Sequence, residues 1–275
     1  MKPNFLVIGA MKCATARLCD VFAAHPQMFV CTPKEPEFFC DDAVFARGWD
    51  WYESLFADAR GKIAVGEGST GYTKQMRFPQ AAERVAKYLP EAKLIYIARH
   101  PLKRIESHWL LRTAAGFDAL PFGEALKKWP HIVDTSLYWK QINRYRDFYP
   151  DENLLLLFCE DFVSNPHDII KRAYRFLGVN PELATADPAQ PKHVRGDARG
   201  DGAVIRLIQK LPGASALRNL APKRGRKVTT KLRKPPPNRP EWPPELRREV
   251  IQQLADDTAE FLKFCGKPSD YWKLE

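Results

Sequence analysis

The run Phe5-Leu-Val-Ile-Gly-Ala-Met-Lys-Cys-Ala-Thr-Ala-Arg-Leu18 constrains this chain more than any other segment. A short apolar stretch ends at Gly9, Lys12 follows three residues later, and a helix-forming stretch begins at once. The pattern predicts a strand, a tight loop and a helix N-terminus. The first N–H groups of a helix have no partner within it, and its dipole is positive at that end. Such a junction therefore attracts anions, phosphates above all. Lys12 and Thr15 would bring a charge and a hydroxyl to the same anion. Taken alone, Lys12 reads equally well as a solvated surface lysine.

The loop is not the nucleotide triphosphatase form, which needs Gly-x-x-x-x-Gly-Lys-Ser/Thr. Here no glycine precedes Lys12 directly. The apolar run Leu154–Cys159, followed by Glu160-Asp161, is an imperfect match to a magnesium-organising strand. The run Leu94-Ile-Tyr-Ile-Ala98 ends instead in Arg99, which suits a second phosphate better than a metal. From Arg99 the chain reads Arg-His-Pro-Leu-Lys-Arg-Ile-Glu-Ser107, with Pro101 suited to a first helical turn. Arg99 and Ser107 can then face one crevice beyond the carboxyl ends of the strands, where open α/β sheets bind ligands. Two phosphate-type loops imply a ligand with two separated phosphates.

With these residues in view, the chain resembles the PAPS-dependent sulfotransferases, closest to the branch of heparan sulfate N- and O-sulfotransferases and their bacterial relatives. Lys12-Cys13-Ala14-Thr15-Ala16 is similar to the family's 5′-phosphosulfate loop, and Arg99, Pro101, Arg104 and Ser107 match its 3′-phosphate element. Lys34-Glu35-Pro36-Glu37-Phe38-Phe39 resembles the motif holding the acceptor-activating glutamate. Further similarities are His25-Pro26, Trp51-Tyr52, the run Gly66–Tyr72, Ser136-Leu-Tyr138, Phe176-Leu-Gly178 and a fainter Tyr271-Trp272.

The resemblance implies PAPS as sulfuryl donor, leaving as adenosine 3′,5′-bisphosphate (PAP), with no metal required. Lys12 would meet charge on the bridging oxygen, and the backbone from Cys13 through Ala14, Thr15 and Ala16 to Arg17 would hold the non-bridging oxygens. Arg99 and Ser107 would take the 3′-phosphate. Glu35 would accept the proton of an acceptor hydroxyl or amine; without the family match it reads as a surface acid paired with Lys34. Glu37, Phe38, Glu67 and Tyr72 are expected on the acceptor side, Glu67 ranking second to Glu35 as a base. Arg104 is expected to brace its helix. A late basic loop covers the cofactor in the family, and Lys223, Arg224, Gly225 and Arg226 are the local candidates; a solvated loop is the alternative.

The departures carry information too. Ala14 stands where the family has glycine, and it tolerates close backbone approach if its φ is negative. Ala16, Glu37 and Gly68 replace polar or cationic residues, which argues against heparan sulfate itself as acceptor. The implied acceptor is a glycan or other carbohydrate, but Trp49, Trp51, Tyr52, Phe38, Phe39, Tyr72, Trp109 and Tyr138 suit phenols or lipids equally, or the core.

The chain has 275 residues, 45% of them hydrophobic, enough for one α/β domain over 1–275. Strands are predicted at 4–9, 28–31, 62–66, 93–98 and 153–158. Helices are predicted at 15–24, 79–88, 101–115, 121–128, 137–148, 166–177, 203–211 and 244–264, with loops near 186–202 and 221–243. Alternation of the two predicts a three-layer, P-loop-like fold with a central, mainly parallel sheet flanked by helices. No run approaches the roughly 20 apolar residues of a membrane span, and the start does not read as a signal peptide. Animal relatives in the branch it resembles are membrane-tethered, whereas this sequence starts at its first strand, so the resemblance implies a soluble, cytoplasmic, bacterial form. Six cysteines without a Cys-x-x-Cys pair read as buried thiols and agree with a reducing compartment. Cys13, in the anion loop, could have a lowered pKa. The net charge of +10 gathers between Lys192 and Arg239. Two other readings stay open: a P-loop kinase using Mg-ATP, and a nucleic-acid-binding protein using the basic stretch.

Overall fold

The computed structural model describes residues 1–114, 120–185, 187–189 and 239–275. Five strands form one sheet: β1 (Phe5–Gly9), β2 (Met28–Val30), β3 (Ala64–Gly68), β4 (Lys93–Ala98) and β5 (Leu154–Phe158), in the order β2-β3-β1-β4-β5. Every pairing is parallel. Parallel sheets covered on both faces need continuously apolar strands, and Phe5–Gly9 is buried at all five positions. The connections leave β1 toward β2 on one side and cross to β4 on the other, so the sheet reverses beside β1. That is the place where an open parallel sheet forms a ligand crevice.

Eleven helices accompany the sheet among the described residues. They are α1 (Thr15–Ala23), α2 (Asp42–Phe45), α3 (Trp49–Ser54), α4 (Ala81–Tyr88), α5 (Pro101–Ala114), α6 (Phe122–Lys128), α7 (His131–Asp134), α8 (Tyr138–Arg146), α9 (Cys159–Ser164), α10 (Pro166–Leu177) and α11 (Pro244–Phe264). The main core lies around the sheet, and Leu102, Ile105, Trp109, Phe122, Ile132, Val250 and Leu254 form a second one joining α5, α6, α7 and α11. The central, mainly parallel sheet flanked by helices is the predicted architecture.

Two features depart from prediction. β3 begins and ends two residues later than 62–66 and carries Glu67, paired in register with Leu6. The apolar run stops at Val65, but the sheet continues because hydroxyl partners satisfy the Glu67 carboxylate. The helices α2, α3, α7 and α9 were not foreseen; at four to six residues they are too short to display a 3.6-residue period. The predicted helix at 203–211 and the basic run Lys223–Arg226 lie outside the described residues.

Candidate active site

The loop after β1 is held tightly on both sides. The Ala10 N–H donates to the Ile97 carbonyl at 2.8 Å, which ties it to β4. Thr73, in a 3-10 turn at Thr70–Thr73, donates its hydroxyl to the Ile8 carbonyl at 2.8 Å. Gly9 permits this approach, since a Cβ there would stand 2.1 Å from Thr73 Oγ1. Lys12 and Ala14 both have positive φ, 71° and 65°. Ala14 is therefore left-handed rather than at the negative φ that would suit alanine, and it bears the strain its family's glycine avoids. Ala14 caps α1 without a side-chain bond and no acid lies in the first turn, so among the described residues neither a side-chain cap nor a first-turn acid competes with an anion at the start of α1. Thr15 is buried there. Arg17 lies over the Phe162 ring at 4.6 Å and donates to the Pro188 carbonyl. Burial pushes the Cys13 thiol up to about 12, with Arg104 and Arg99 only partly opposing, so the lowered pKa considered for it does not occur.

The element after β4 is braced by α8 and the turn before it. Tyr138 donates its hydroxyl to the Arg99 carbonyl at 2.6 Å. Arg104, fully buried, donates to Ser136 Oγ and to the Ile132 carbonyl, so it braces the helix as expected. Ser136-Leu-Tyr138 thus acts by fixing the Arg99–Arg104 segment, while Arg99 and Ser107 remain half-buried. Glu160 and Asp161, considered as a magnesium site, are occupied otherwise. Glu160 accepts from the His100 N–H at 2.9 Å and from Trp272 Nε1 at 3.2 Å. Asp161 accepts from Lys267 Nζ and the Tyr271 hydroxyl, both at 2.7 Å. These acids tie the C-terminal residues against the end of β5, which accounts for Tyr271-Trp272.

The third element is the turn Lys34–Glu37. Glu35 is half-buried, pairs with Lys34 Nζ at 3.0 Å, and accepts from Thr70 Oγ1 at 3.3 Å. Burial works against the Lys34 ammonium, but the attractions of the adjacent Glu35, of Cys19 and of Glu67 together outweigh it, and its pKa is raised. Glu67 is fully buried and accepts from Tyr72 at 2.6 Å, Ser69 at 2.9 Å and Tyr52 at 3.3 Å. Burial lifts its pKa to about 7 against the opposing pull of those hydroxyls and of Lys34. Burial raises the pKa of the Cys19, Cys31 and Cys40 thiols, and the charge of Glu67 adds to the rise in each.

The structure thus brings Lys12, Cys13, Ala14, Thr15, Ala16 and Arg17 to the end of β1, Arg99 to the end of β4, and Glu35 to the end of β3. It moves other expected contacts inward. Phe38 stacks on Tyr52 at 4.5 Å and is 1% exposed, and Tyr72 is 2% exposed. Phe38, Glu67 and Tyr72 thus lie beneath the site and support it rather than line it. The aromatic set considered for an acceptor is largely core: Tyr52, Phe39, Tyr138 and Trp109 are buried too, leaving Trp49 and Trp51 half-buried. Glu37 stays half-buried, its pKa raised by burial. At Gly68 a Cβ would stand 2.6 Å from Cys19 Sγ, so a side chain does not fit there without moving that thiol. Lys74 was not anticipated. It is half-buried beyond the 3-10 turn; desolvation lowers its pKa, while Glu35 and Glu37 pull the other way. No sequence pattern marks it, because only the turn carries it toward those acids. No group of three or more metal-type ligands occurs among the described residues.

A strand–loop–helix after β1, the basic element after β4 on one side of it and the Glu35 carboxylate beside the end of β3 on the other share the carboxyl edge of a P-loop-like α/β sheet. The model of the sulfotransferase domain matches residues 2–193, and the chain belongs to that family. Among curated relatives, human heparan sulfate glucosamine 3-O-sulfotransferase 6 is 28% identical over 187 residues, 64% of this chain and 52% of that protein. Mouse bifunctional heparan sulfate N-deacetylase/N-sulfotransferase 3 is 27% identical over 200 residues, 65% of this chain and 22% of that protein. The chain thus spans about half, or less, of the length of these relatives. Among solved structures, a sulfotransferase from Alicyclobacillus acidocaldarius shares the fold at a TM-score of 0.72, with 23% identity and 99% of each chain covered. Membership of this family does not favour the kinase or nucleic-acid-binding readings.

Proposed function

We propose that the chain, as one domain over 1–275, transfers a sulfuryl group from PAPS to a hydroxyl or amine of a glycan or other carbohydrate acceptor. What supports this reading most is that the Lys12 loop and Arg99 follow the carboxyl ends of the neighbouring strands β1 and β4, while Glu35 accepts from Thr70 just past the end of β3. When bound, PAPS supplies an activated sulfuryl group whose leaving group is PAP. The open start of α1 and Lys12 would hold the 5′-side anion and meet the charge that grows on the leaving oxygen. Arg99, with Ser107 two turns further on, would hold the 3′-phosphate. Glu35 would take the proton as the acceptor oxygen or nitrogen bonds to sulfur, and positioning with charge stabilisation would do the rest.

The glycan acceptor is supported by the named activities of the relatives, which act on heparan sulfate. No helix among the described residues is long and apolar enough to cross a membrane, and the six thiols are free. Those thiols support a reducing compartment and hence the cytoplasm.

Calorimetric titration with PAP, with Mg-ATP as the control, tests the reading. The expected result is preferential PAP binding, weakened far more in Arg99→Ala for PAP than for adenosine 5′-phosphate. Preference for Mg-ATP, or equal losses for both nucleotides, would overturn it.

A further inference from the structure

We propose that Glu67 and Ser69 form a positioning relay that sets the backbone of the Lys34–Glu37 turn and, through it, the carboxylate of Glu35. The inference rests on the reading of Glu35 as the base. Ser69 is fully buried just past the end of β3. Its hydroxyl donates to Glu67 Oε2 at 2.9 Å, which leaves its oxygen free to accept. The Glu37 N–H donates to that oxygen at 3.0 Å. The Tyr72 and Tyr52 hydroxyls both point at the other carboxylate oxygen, Oε1. With Oε1 turned to the two tyrosines, Oε2 faces Ser69, so the carboxylate fixes the direction of the whole chain of bonds.

The turn needs such an anchor. Glu35 and Glu37 have φ of 58° and 56°, a left-handed conformation that residues other than glycine rarely hold unaided. Pro36 between them has no N–H to contribute. The Glu37 carbonyl accepts from the Cys40 and Asp41 N–H groups at 3.2 and 3.0 Å, which ties the turn to the residues after it, and the Glu37 N–H is the point where Ser69, just past β3, grips it. Thr70, the next residue, reaches the Glu35 carboxylate itself at 3.3 Å. Glu67, Ser69 and Thr70 thus hold both backbone and side chain of the base from one strand end. The mechanism above gives Glu67 no contact with a substrate; it acts through Ser69, as a positioning residue.

Ser69→Ala removes the acceptor of the Glu37 N–H, and Glu67→Gln places an amide nitrogen against one of three donating hydroxyls. The test combines amide exchange of the 35–39 segment, PAP affinity, and PAP release from PAPS with a screened acceptor or with water alone. Both variants are expected to exchange about tenfold faster in that segment. Their kcat should fall by about tenfold to a hundredfold, as a displaced catalytic group would cause. PAP affinity should stay within about twofold, and the double variant should be no slower than the slower single one. Unchanged exchange, unchanged kcat, additive losses or a parallel loss of PAP affinity would each overturn the relay. If the wild-type protein binds no PAP, the proposed function fails by itself, and the exchange of 35–39 still decides whether Glu67 and Ser69 hold the turn.

Discussion

Replacing Glu67 by glutamine should change the pH dependence of stability in a direction fixed by burial. The folded protein holds the Glu67 proton up to about pH 7, whereas an ordinary glutamate releases it near 4.5. Between those values the unfolded chain binds fewer protons than the folded one, so stability falls as pH rises. The contribution is fully present below about 4.5 and is lost as pH climbs through about 7. Integrating from about pH 5.5 to about pH 8.5 gives a loss of about 2 kcal/mol. Glutamine does not titrate, so Glu67→Gln escapes this loss, and its poorer acceptance of three hydroxyls adds only an offset independent of pH. For 275 residues the unfolding entropy is about 0.6 kcal/mol per kelvin. The melting temperature of the variant, minus that of the wild type, should therefore rise by about 3 °C across the window. Scanning calorimetry on both proteins at matched pH values reads this difference directly, because other titrating groups cancel. A gap constant to within about 1 °C would refute the raised pKa.

Three other substitutions probe the loops. Ala14→Gly relieves a left-handed alanine and should stabilise by roughly 0.5–1 kcal/mol after the added flexibility of the unfolded chain is counted. Denaturant unfolding checks it, and a net destabilisation would mean that packing of the half-buried methyl outweighs the backbone strain. Lys12→Ala should slow PAP release by about a hundredfold to a thousandfold, more than it weakens PAP binding; full turnover would remove Lys12 from the leaving-group role. Glu35→Gln should lower kcat by about a hundredfold or more with PAP affinity held, and a collapse of affinity would make Glu35 a structural residue.

Much of the sheet was legible because buried parallel strands are continuous apolar runs, as in Phe5–Gly9 and Leu154–Phe158. The helices opened by Pro101, Pro166 and Pro244 were legible from their first residues. β3 was misplaced because its last residues are Glu67 and Gly68, and only tertiary contacts make them strand. Among the proposed site residues, Lys12, Glu35 and Arg99 could be nominated from sequence because each follows or neighbours a strand end within a motif. Lys74 and the relay through Ser69 could not: both depend on which hydroxyl or ammonium the fold turns inward. Phe38 and Tyr72 were misread for the same reason, since a sequence cannot tell an aromatic lining a cleft from one stacked beneath it.

The backbone shows where the fold spends stability. Among the described residues, four outside glycine have positive φ: Lys12, Ala14, Glu35 and Glu37. At roughly 1 kcal/mol or more each, they cost roughly 4 kcal/mol together, a large part of the 5–15 kcal/mol that holds a typical domain. All four lie in the two loops that carry the proposed leaving-group lysine and the proposed base. Something must hold those loops in place, and the structure supplies it next to them. Thr73 and the Ile97 carbonyl hold the first loop. Ser69 and Thr70, with Phe38 stacked on Tyr52, hold the second. Loops strained and held in this way keep Lys12 and Glu35 in fixed positions before any substrate arrives. That lowers the ordering cost of the transfer step, and it is why substitutions beneath the site, at Ser69 or Glu67, should act on kcat rather than on nucleotide affinity.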